Sequence, residues 1–134
     1  MNRVEKALEN HKKGYNCSQS VACAFCDKTN LSEKELFRAM EAFGLGGGDM
    51  QGTCGAVAGA AALVGLVNST GNLEAPNSKQ KVYQMMKQLN AAFREKNGST
   101  ICREIKGLDT GKVLRSCDGC IEDAVVLLTD ILGK

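Results

Sequence analysis

The chain has 134 residues and a mass of 14.3 kDa, the size of one ordinary domain, so residues 1–134 are read as a single unit with one core. Lys and Arg number 17 against 15 Asp and Glu, a formal net charge of +2, and aromatic residues make up 4%. Without a clustered cationic face or a supply of stacking rings, nucleic acid is excluded as the expected partner.

The amino terminus, Met1 to Gly14, is charged and carries no apolar signal-peptide region, so no secretory signal is expected. Val4, Ala7, Leu8 and His11 mark one face of a first helix that Gly14 ends. His11 on that face reads as a packed, hydrogen-bonded side chain rather than as a ligand or base. A second helix starts at Asn16 and carries Cys17, Val21, Ala24 and Phe25 along one side. For the third, Ser32 and Glu35 form a capping box and Leu31 with Leu36 a hydrophobic staple, with Leu36, Met40 and Phe43 as its buried stripe.

A glycine-rich loop, Gly44 to Gly52, then enters the apolar run Cys54 to Val67. That run is too short to span a bilayer, and no membrane insertion is expected. Gly55, Gly59, Ala60, Ala61 and Gly65 are small enough to let other helices approach the backbone, which places this helix at the centre of the bundle. Asn68 to Asn77 is a short linker holding the single proline. Val82, Met86, Leu89 and Phe93 mark a long helix ending near Gly98, and a short helical segment follows at Cys102 to Ile105. The last helix shows Ile121, Ala124, Val125, Leu128, Ile131 and Leu132 on its apolar side. No strand-like alternation occurs, so the expected fold is all-α: a compact multi-helix bundle around a central Gly/Ala-rich helix.

Seven cysteines in a chain long enough to fold without staples need their own explanation. With no sign of export the expected compartment is the cytoplasm, where such thiols serve redox, catalytic or metal-binding chemistry. Good N-cap residues precede four of them: Asn16 before Cys17, Thr53 before Cys54, Ser99 and Thr100 before Cys102, and Ser116 before Cys117. A sulfur in the first turn of a helix meets free N–H groups and the positive dipole end, which favour the thiolate. Cys117 and Cys120 also form a CxxC pair at a helix start, the spacing of dithiol oxidoreductases. Cys23 and Cys26 fall inside a helix and read as small buried hydrophobes. Gly46, Gly47 and Gly48 fit no nucleotide-binding motif; their N–H groups either cradle an anion, the Cys54 thiolate included, or serve a tight turn.

The succession Gly14-Tyr15-Asn16-Cys17-Ser18-Gln19, Phe43-Gly44 to Gly48, Cys54-Gly55-Ala56-Val57-Ala58-Gly59, Cys102-Arg103-Glu104 and Cys117 before an apolar helix resembles the family of small prokaryotic redox-active proteins named for its C-GCAxxG-C-C pattern. The resemblance runs from about Gly14 to Ile131 and implies that the family's four cysteines fall on Cys17, Cys54, Cys102 and Cys117. It leaves Cys23, Cys26 and Cys120 outside the pattern.

Two chemistries follow as expectations. In the first, Cys54 is the nucleophile of thiol–disulfide exchange, with Cys17, Cys102 or Cys117 resolving and an unidentified redox partner. In the second, Cys17, Cys54, Cys102 and Cys117 hold an iron–sulfur cluster or zinc, because four neighbouring thiolates repel one another unless a cation lies among them. A third alternative is a non-catalytic interaction protein with core cysteines, such as a homodimer through an apolar helix face.

Overall fold

In a computed structural model of the chain, residues 1–133 are described. Three of the first helices open with reciprocal capping boxes. Asn2 and Glu5 cap α1 (Arg3–Lys12), Asn16 and Gln19 cap α2 (Cys17–Cys23), and Ser32 and Glu35 cap α3 (Glu33–Met40). In each, a short side chain accepts from the third backbone N–H while a longer one reaches back to the cap, satisfying two otherwise orphaned donors.

After Met40 the chain tightens into a 3-10 turn, Glu41–Phe43, and then into the one-turn element α4 (Gly44–Gly47), inside which Leu45 and Gly46 are left-handed. The 3-10 turn has three residues per turn instead of 3.6, so the helical stripe does not continue through it. Phe43, expected in the buried stripe with Leu36 and Met40, is consequently turned out and 50% exposed.

The central helix is α5 (Gly55–Asn68), 14 residues long, and it packs against α2, α6 (Lys79–Asn97) and α8 (Cys117–Leu132). Its glycines explain how close that packing is. A Cβ on Gly59 would stand 2.5 Å from the backbone carbonyl oxygen of Ser18, and one on Gly55 would stand 3.2 Å from Cys17 Cβ. The α2 and α5 backbones therefore cross in direct contact, which only glycine permits. Between α6 and α8 lies the short α7 (Cys102–Lys106). Val21, Phe25, Leu36, Leu63, Leu89, Phe93, Ile121 and Leu128 form the centre of the core, all buried. The fold is all-α, as the periodicity predicts.

Two features lie outside the periodic pattern. Thr53 and Ile101 form an isolated antiparallel bridge; among the described residues there is no strand or sheet. Asp123, buried on α8, receives Lys96 Nζ at 3.0 Å, Asn97 Nδ2 at 3.1 Å and Arg115 Nε at 3.1 Å. Burial pushes its carboxyl up, but these donors outweigh it and hold the pKa below the usual carboxylate range. The network ties the end of α6 and the segment before α8 to one carboxylate, which fixes where α8 begins.

Candidate functional site

Helix starts carry the chemistry. Cys17 is the first residue of α2, Cys102 of α7 and Cys117 of α8, with Asn16 and Ser116 as the side-chain caps expected for the first and last. Two caps differ from expectation. Thr53 is held extended by its bridge to Ile101, so α5 begins one residue later and Cys54 itself is the N-cap. Ile101, the other half of the bridge, caps α7 in place of Ser99 or Thr100. Ser99 Oγ instead accepts from the Ile101 N–H at 2.9 Å and holds the turn from outside.

The bridge also brings distant thiols together. Cys54 N donates to Thr100 O at 2.7 Å, Cys102 N to Gly52 O at 2.9 Å and Arg103 N to Met50 O at 2.9 Å. Residues 50–54 and 100–103 are thus laced backbone to backbone, with Cys54 and Cys102 on either side of the bridge. Cys17, Cys54, Cys102, Cys117 and Cys120 all line one cavity of about 520 Å³, with His11, Leu45, Ile105, Lys106 and Arg115 among its other walls.

Within the cavity the sulfurs pair across helices rather than along them. The Cys17 thiol is set against Cys117, and Cys120 against Cys54. Cys117 receives a second donor, Lys106 Nζ, at 3.4 Å. The bond from Cys17, together with the charges of Lys106 and His11, outweighs burial and draws the Cys117 pKa down from 9.0 to about 5. Cys17, as the donor in a buried setting, is pushed up and stays a thiol. In the second pair the bond with Cys120 and the backbone amides of Val57 and Ala56 lower Cys54 to about 7, while Cys120 is raised by that same bond and by burial. Cys102 has no such sulfur partner, and burial raises it.

His11 is half-buried and hydrogen-bonded, as expected of it, but its partner is the Asp118 of the Cys117–Cys120 segment: Nδ1 lies 2.7 Å from Oδ1. Gly119, the other residue between the two cysteines, makes room for Arg115, whose Nε would lie 2.3 Å from an added Cβ. The glycine loop plays a packing part. Gly46 is buried with Cys102 Cβ 2.5 Å from where its own Cβ would be, and Gly47 and Gly48 are exposed at φ of +81° and +94°. None of the three lines the cavity; Leu45, left-handed and half exposed at its rim, does.

Cys23 and Cys26 stand apart, against a second cavity beside Arg3, Asp27 and Glu33. They do not share a helix as expected: α2 ends at Cys23 and Cys26 opens a 3-10 turn. Thr29 Oγ1 donating to Cys26 O, and Cys26 Sγ donating to Leu31 O at 3.3 Å, draw the chain into a loop there. Burial, with Glu33 adding to it, pushes the Cys23 thiol up to about 12.

Lys106, whose ammonium faces Cys117, is a cavity side chain that sequence reasoning missed. Its position carried a signal, since Cys102 and Lys106 are four apart in a helical segment and so share a face. No comparable signal announces the Cys54–Cys120 pairing. Among the described residues, no group of three or more His, Cys, Asp or Glu side chains is disposed to hold a metal ion.

The profile of the family described as "Putative redox-active protein (C_GCAxxG_C_C)" matches residues 15–131, most of the chain. Comparison with curated proteins and with solved structures returns no match. No helix among the described residues is long and apolar enough to cross a membrane.

Proposed function

The chain belongs to the C_GCAxxG_C_C redox-active family, and on that premise we propose that its cavity performs thiol–disulfide exchange, with Cys117 attacking and Cys17 resolving. The observation that carries this is the pair of donors on one sulfur: Cys117 Sγ faces both the Cys17 thiol and the Lys106 ammonium on the wall of an open cavity. Thiolates, not thiols, attack disulfides, and a nearby cation with a hydrogen-bond donor stabilises that form.

The steps balance without a metal. Cys117 thiolate attacks one sulfur of a substrate disulfide, forming a mixed disulfide and expelling the other substrate sulfur as a thiolate. Cys17, giving up its proton, attacks Cys117 Sγ; the Cys17–Cys117 bond forms and the second substrate sulfur leaves. Two electrons pass from the protein to the substrate, and an external dithiol restores the pair by the reverse route. Cys54, the nucleophile expected from its place before the Gly/Ala helix, is only 6% exposed and so is less open to a substrate.

The test uses the reduced chain handled without oxygen. A short iodoacetamide pulse at pH 6, read by peptide mass spectrometry, should label Cys117 first, and oxidised glutathione should produce a Cys17–Cys117 cross-link. Labelling of Cys117 no faster than of Cys23 would overturn the reading. So would near-stoichiometric iron or zinc in the same preparation with the cavity thiols protected, which would move those cysteines to a metal site.

A further inference from the structure

Cys120 lies outside the family's cysteine pattern, yet it is the sulfur that partners Cys54, and both are nearly inaccessible, 2% and 6% exposed. The exchange reading needs neither. Their counterparts in the same cavity, Cys17 and Cys117, are half-buried. Cys117 and Cys120 are three apart in the first turn of α8, so Cys120 is both the next sulfur along the helix from Cys117 and the partner of Cys54 across it.

From this arrangement the geometry points to a second, buried dithiol site, Cys54 and Cys120, which is oxidised not by substrate directly but by internal exchange with the Cys17–Cys117 disulfide. This rests on the exchange reading of the outer pair. Cys120, losing its proton, attacks Cys117 Sγ; the Cys117–Cys120 bond forms, the Cys17–Cys117 bond breaks, and Cys17 leaves as a thiolate that takes up a proton. Cys54 thiolate then attacks Cys120 Sγ, forming Cys54–Cys120 and releasing Cys117 as the thiolate that Lys106 faces. The outer pair ends reduced and the inner pair oxidised, two electrons having moved inward to outward with no added reagent. A second substrate disulfide can then reoxidise the outer pair, so the chain delivers four electrons in two steps through one opening. Burial suits this order, because Cys17 and Cys117 keep partial exposure to an incoming disulfide, whereas Cys54 and Cys120 are nearly inaccessible.

The test follows the reduced full chain mixed with oxidised glutathione without oxygen, quenched with acid at intervals, blocked with N-ethylmaleimide and mapped by mass spectrometry. The expected course is a Cys17–Cys117 link that rises first and declines as Cys54–Cys120 accumulates, with both present and four thiols lost at the end. In Cys117→Ser, formation of Cys54–Cys120 should slow at least tenfold. In Cys120→Ala the Cys17–Cys117 link should form and persist, a positive signal that a misfolded variant would not give. A Cys17–Cys117 link that persists in the unaltered chain while Cys54 and Cys120 remain blockable would overturn the inner site and leave the outer reading standing. Equal rates of Cys54–Cys120 formation with and without Cys117 would also overturn the relay. Absence of any Cys17–Cys117 link would remove both readings.

Discussion

Lys106 and Cys117 show how one charge decides a cysteine's behaviour. The ammonium at 3.4 Å favours the anion, and so does the Cys17 thiol. Because the thiolate is the reacting form, alkylation of Cys117 should be nearly flat with pH above about 6 and fall only as pH drops through about 5, whereas an ordinary thiol at 9.0 keeps gaining rate through the alkaline range. Replacing Lys106 with Met removes the cation and keeps much of the bulk. The midpoint of the Cys117 alkylation profile should then move up by about one pH unit, and the rate at pH 5 should drop about fivefold. An unchanged profile in Lys106→Met would show that the lysine does not act on this sulfur. At this scale the sequence disclosed that Cys17, Cys102 and Cys117 open helices, because caps and spacing are local. It did not disclose which sulfur meets which, because Cys17 with Cys117 and Cys54 with Cys120 are set by the crossing of α2, α5 and α8.

Between elements, the crossing of α2 over α5 is set by glycine, and two substitutions separate contact from intrinsic preference. Gly59→Ala puts a methyl 2.5 Å from a backbone carbonyl oxygen that cannot swing aside, so it should destabilise the fold by about 2 kcal/mol. Gly65→Ala lies in the same helix with nothing within 4 Å of the new atom and should stabilise it by about 0.5–1 kcal/mol through helix propensity alone. Urea unfolding of the two variants checks both signs; equal effects would mean that the close approach is not what these glycines serve. The Gly/Ala character of α5 made its central position readable. The Thr53–Ile101 bridge was not readable, since a single pair of extended residues leaves no alternation to detect, and it shifted the cap of α5 onto Cys54. Phe43 was misread for a related reason: a change from 3.6 to three residues per turn leaves no mark in residue type.

Taken as a whole, the molecule gathers into one cavity cysteines that are far apart in the chain. A Cys17–Cys117 disulfide would span a loop of roughly 100 residues, and by chain entropy such a link stabilises a fold by about 4 kcal/mol. The protein oxidised at that pair should melt more than about 10 °C above the reduced one, measured by circular dichroism with the link confirmed by mass. A lower melting temperature on oxidation would mean that the link strains the helices it joins. The all-α class followed from periodicity, since each helix writes its own pattern; the cavity did not, because it exists only once six helices have met.

The length of α5 has a practical consequence of a different kind. Fourteen helical residues at about 1.5 Å each hold the exposed turn at residues 69–78 on the order of 20 Å from Cys54. That turn is therefore the place to open the chain. A protease nick, a fluorophore or a grafted peptide between Thr70 and Pro76 should leave the pH profile of Cys117 untouched, giving the molecule a handle for immobilisation on an electrode or a bead with its thiols still facing outward on the far side.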